Sequence, residues 1–131
     1  MSSDSLAGLI ERDPAVADLL ASWSERARFR IGVAELIERW GRLVSRIDER
    51  YGLSLDDYFN DVDARTLLDE VLMAMSSDEL KDRLRFALAP LDSGFLAATE
   101  IRDGLAAPSE WSRRVPKRPG PEMSSQLQNL G

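Results

Sequence analysis

Between Phe29 and Tyr51 the apolar side chains return every third or fourth residue: Phe29, Val33, Leu36, Ile37, Trp40, Leu43, Val44, Ile47 and Tyr51. At about 100° per residue they fall in a stripe roughly 120° wide, the width of a helix face turned to a core. Gly52 follows at once and can end a helix in a left-handed turn. With Ser24 as its N-cap, this segment predicts one long helix as the spine of the molecule. No stretch of the chain shows the apolar–polar alternation of a strand.

The flanking segments read as further helices. Leu6, Leu9 and Ile10 fit a short first helix. Asp13-Pro14 marks a second over residues 14–22, with Asp as N-cap and Pro where a missing N–H costs nothing. Ser54 caps the next segment, with Asp56 and Asp57 in its first turn against the positive end of the dipole. Asp61 or Asp63 then opens another helix carrying Leu67, Leu68, Val71, Leu72 and Met75, with Tyr58, Phe59 and Val62 in the connecting turn. Ser76 and Glu79 form a capping-box pattern before Leu80, Leu84, Ala87, Leu88 and Leu91. Pro90 predicts a break or strong kink. Asp92 caps a last helix to about Asp103, stopped by Gly104. Beyond Gly104 lie four of the chain's six prolines and no periodicity. The expected fold is all-α: a four- to five-helix bundle over 1–104, with an extended or flexible Pro/Arg-rich arm over 105–131.

The chain has 131 residues, one domain's worth, and no Cys and no His. That removes the thiol nucleophile, the imidazole base and the usual zinc ligands. An EF-hand is excluded as well. Counting from Asp57, the third position is Phe59 and the sixth Val62; from Asp61 the sixth is Thr66, where a glycine is needed. Two carboxylate pairs one helical turn apart, Glu35/Glu38 and Glu100/Asp103, have the spacing that holds Mg²⁺ against a nucleotide. Ala34 stands where a third acid would precede the first pair, and the pairs lie far apart in sequence. A carboxylate- and Mg²⁺-dependent nucleotide hydrolase is therefore the third-ranked expectation. No catalytic, cofactor-binding or metal-binding residue is assigned, and no cofactor is expected. Without a signal sequence, an apolar span or a disulfide, the expected location is cytoplasmic, with no membrane partner. Arginine outnumbers lysine fifteen to two beside fourteen alanines, the usage of a GC-rich bacterial genome.

The net charge of −6 is unevenly spread. Residues 54–82 hold nine acids and two bases, and Asp56, Asp57, Asp61 and Asp63 begin that patch. Arg28, Arg39, Arg42, Arg46 and Arg50 project beside the apolar stripe of the spine. They predict a surface that lies against the acidic segment or, alternatively, tracks phosphates together with Arg113 and Arg114 of the tail. Trp111, an indole in a Pro/Arg-rich stretch, reads as an interface anchor. Together these features predict a non-enzymatic, acidic protein–protein interaction module that self-associates, as a homodimer, with nucleic acid the second-ranked partner.

Overall fold

The computed structural model describes residues 5–47, 54–102 and 109–129. It is mostly helical, with six α-helices and one two-stranded sheet among the described residues. Helix α1 (Leu6–Glu11) starts where the Ser5 hydroxyl accepts from Gly8 N. Helix α2 (Pro14–Ala27) starts at Asp13, whose Oδ1 accepts from Ala15 N and Val16 N. It runs past the expected end at Ser22, so the long spine predicted from Ser24 is divided. Ser24 belongs to the last turn of α2, and α3 is Val33–Ile47.

Three contacts fix that division. The Ser24 hydroxyl accepts from Ile31 N at 2.8 Å instead of capping a helix of its own. Arg28 closes α2 in the left-handed region, at φ 64°, with its N–H on Ser24 O. The Glu11 carboxylate accepts from Val33 N and from Arg30, which also pairs with Glu35. A Cβ at Gly32 would press on the Glu35 carboxylate and displace it from its pairing with Arg30. Phe29 is consequently 61% exposed and outside the core, whereas Val33, Leu36, Trp40, Leu43 and Ile47 are buried as the periodicity predicts. Tyr51 and Gly52 lie outside the described residues.

Helix α4 (Leu55–Ala74) is continuous, with Ser54 as its N-cap; Asp61 and Asp63 lie within it and open no second helix. Tyr58 and Val62 are core positions, not a turn, because α4 is enclosed on several sides by α2, α3, α6 and the 3-10 turn described below. Its buried residues form two adjoining series, Leu55–Tyr58–Val62–Arg65–Leu68–Leu72 and Ala64–Leu68–Val71. The second series hides the simple stripe that would have marked one helix.

Helix α5 (Asp78–Ala98) begins at Ser77, whose hydroxyl accepts from Leu80 N. Ser76 binds Asp13 Oδ2 instead, through both its N–H and its hydroxyl. Pro90 does not end the helix. It stands on the exposed side, and the carbonyl it leaves free is that of Phe86, on the same outer face.

The helix expected from Asp92 to about Asp103 is not a separate one: residues 92–98 complete α5, and the chain then enters β1 (Thr99–Ile101), antiparallel to β2 (Arg114–Pro116) in the register Thr99↔Pro116, Glu100↔Val115, Ile101↔Arg114. A 3-10 turn (Trp111–Arg113) precedes β2, and α6 (Pro121–Asn129) follows it. Residues 109–129 thus fold back and do not extend as an arm. Val115, Met123 and Leu127 enter the same core as α1–α5, and Gln126 Oε1 accepts from Leu55 N at the start of α4.

Candidate interaction site

The inner side of α5 carries a charge. Asp92, expected as an N-cap, points into the core, where Arg65 binds it side-on: Nε to Oδ1 at 2.9 Å and Nη2 to Oδ2 at 3.0 Å. Arg65 Nη1 reaches Asp69 at 2.6 Å. Trp40 Nε1 donates to Asp92, and Trp111 Nε1 to Asp69. The Arg65 guanidinium also lies 4.4 Å from the Trp111 ring centroid, a cation–π contact. Trp40, Phe95 and Trp111 pack together with ring centroids 4.6 to 6.0 Å apart. Burial works against the charge on Arg65, yet hydrogen bonding and attraction from Asp92, then Asp69, hold its pKa above the ordinary arginine value. The cluster ties α3, α4, α5 and the 3-10 turn together. No buried side-chain nitrogen or oxygen among the described residues lacks a partner.

The arrangement is structural in its chemistry. Its carboxylates are held by fixed donors, and no group of three potential metal ligands occurs among the described residues. Glu35 and Glu38 lie on α3 and Glu100 on β1, while Asp103 is outside the described residues. Tyr58, its phenol raised above the ordinary value by burial, donates to Arg114 O at 2.6 Å.

The residues singled out from the sequence fall into separate groups. Trp111 anchors its own chain on the Trp40–Phe95 cluster. Arg114 folds inward onto Thr99 Oγ1, Thr99 O and Leu96 O, whereas Arg113 stays exposed. Arg28 leaves the arginine stripe, since it closes α2 and is not part of α3. Arg42 and Arg46 are exposed on α3, and Arg50 lies outside the described residues. Arg39 shares a shallow depression with Asp57, Asn60, Asp61 and Asp63, which places it against the acidic segment. Asp56 stays exposed in the first turn of α4.

A face that drew no attention in the sequence is the outer side of α5. At about 100° per residue, Phe86, Pro90, Ser93 and Ala97 form one line opposite the buried Leu84, Leu88 and Phe95. Phe86 is 83% exposed. Ala87, Ala89, Pro90, Ser93, Leu96 and Ala97 are exposed after it, and Asp92, the one charge between Phe86 and Ala97, is the residue turned inward. At the end of this strip Leu96 and Ile101 wall a groove of about 520 Å³ with Trp111, rimmed by Glu110 and Arg113. The signal in the sequence was the spacing 86–90–93–97 without a charged residue, masked by the expectation that Pro90 ends the helix.

No protein-family model, curated protein or solved structure matches this chain, and its functional reading stands on this geometry.

Proposed function

We propose that the chain is a non-enzymatic protein–protein interaction module whose docking surface is the outer face of α5 with the groove at its end. The supporting observation is the uncharged strip headed by Phe86 at 83% exposure, on a helix whose opposite side already completes the core. A phenyl ring in water contributes nothing to folding, whereas burying it against a partner contributes about 2 kcal/mol. Exposed apolar surface that is continuous, not scattered, marks an association site.

Replacement of Phe86 by a photo-crosslinking phenylalanine analogue tests this in lysate of the native host. Irradiation should give discrete protein adducts from position 86. The same analogue at Ser45, exposed on α3, should give none. Equal labelling at both positions, or no protein adduct at either, would refute the reading.

A further inference from the structure

The two ends of α5 fit each other. Near the start, Phe86 stands with Leu6, Glu79, Asp82, Arg83 and Ala87 around a hollow of about 480 Å³. About 15 Å further along the axis, Leu96, with Ile101 of β1, walls the groove completed by Trp111; the two are 46% and 66% exposed. The exposed residues between these ends, Ala89, Pro90 and Ser93, are small or compact, so a second helix can approach closely.

We infer that the occupant is a second copy of this chain, its α5 laid antiparallel across the first about a two-fold axis near residues 91 and 92. The inference rests on the reading of this face as a docking surface. In this register Phe86 faces the partner's Ala97 and enters the groove beside it, while Pro90 faces the partner's Ser93. The two-fold repeats each contact, so both grooves fill and the assembly closes as a dimer. A parallel arrangement would set Phe86 against Phe86 and leave both grooves empty.

Charge selects the same register. Arg83, one turn before Phe86, comes near the partner's Glu100, which stands on β1 just past the C-terminal end of α5. Both are exposed, and neither makes an ion pair within the chain among the described residues. In the parallel register each would meet its own like charge, which disfavours encounter.

Sedimentation velocity of the purified full chain, up to about 100 μM, where a micromolar interface is filled, reads the outcome. A dimer is expected. Phe86→Asp should weaken it by about a hundredfold or more, and Ala97→Glu, at a second exposed site, should do the same. Arg83→Glu and Glu100→Arg should each weaken it about tenfold, and the combined swap should restore it. Far-UV circular dichroism of each variant checks that the fold is kept. A dimer that survives Phe86→Asp, or a combined swap no better than the single changes, would overturn the register. A monomer at every concentration would overturn the second-copy inference. Heterologous adducts at position 86 in lysate would then leave the docking face standing, and their absence would remove both.

Discussion

On its inner side α5 carries Asp92 in the core and surrounds it with donors from Arg65 and Trp40; on its outer side it carries no charge from Phe86 to Ala97 and leaves a phenyl ring in water. At Asp92 and Phe86 the usual placement of polar and apolar groups is reversed, although Leu84, Leu88 and Phe95 fill the inner side as expected. Inside, the reversal is compensated, since each buried polar group has a partner. Outside, Phe86 stays 83% exposed, uncovered by any of the described residues. The inner side therefore belongs to the fold, and the outer side is the face for which we propose a partner.

The sharpest way to break this comparison is to remove the inner cation. Arg65→Met leaves the Asp92 carboxylate facing Trp40 without its counter-charge, and a loss of about 3 kcal/mol in urea unfolding is expected, near the lower end for broken buried pairs because Asp92 keeps some water. Adding Asp92→Leu should recover part of that loss, leaving about 1–2 kcal/mol, chiefly the unmet Trp40 N–H. If the double variant is no better than the single, Arg65 acts through packing on Trp111 and not through charge.

A smaller effect is expected at Asp13, which caps α2 and holds Ser76 between α4 and α5. Asp13→Ala should cost about 1–2 kcal/mol at neutral pH. The Ser76 amide and hydroxyl, then the amides of Ala15 and Val16, hold this carboxyl below its ordinary value of 3.8, against the effect of burial. A lowered folded-state pKa means that the ionised form stabilises the native state. The contribution is complete above the unfolded value and fades as pH falls below it, through the folded value. Wild type and Asp13→Ala should therefore converge in stability in strong acid. A constant gap down to that range would assign the loss to packing.

The smallest effect concerns the corner that divides α2 from α3. Arg28 holds φ 64°, a region costly to any residue with a Cβ. Arg28→Gly should raise the unfolding free energy by about 0.5–1 kcal/mol. A loss would mean that the Arg28 side chain contributes to the corner.

What the sequence made legible was local. The Val33–Ile47 stripe, the caps at Asp13 and Ser54 and the helical character are set by neighbours within a turn or two. What it hid depends on distant partners. A serine at position 24 looks the same whether its hydroxyl caps its own helix or accepts from Ile31 across a corner. Asp92 looks like a cap until Arg65, 27 positions earlier, lies beside it. The Met123–Leu127 pair is too short a period to announce α6 among prolines. Trp111 reads as an interface anchor in its Pro/Arg-rich stretch, yet in the fold its ring packs on the Trp40–Phe95 cluster of the same chain. The candidate docking face was the least legible part, because an exposed Phe86 is identified only once Leu84 and Leu88 are seen to point the other way.

Phe86→Asp tests most directly whether α5 folds with one side and binds with the other. Its unfolding free energy in urea should lie within about 0.5 kcal/mol of wild type, while its association in sedimentation is lost. A fall in stability comparable to that of Arg65→Met, or association at undiminished strength, would contradict that division of labour.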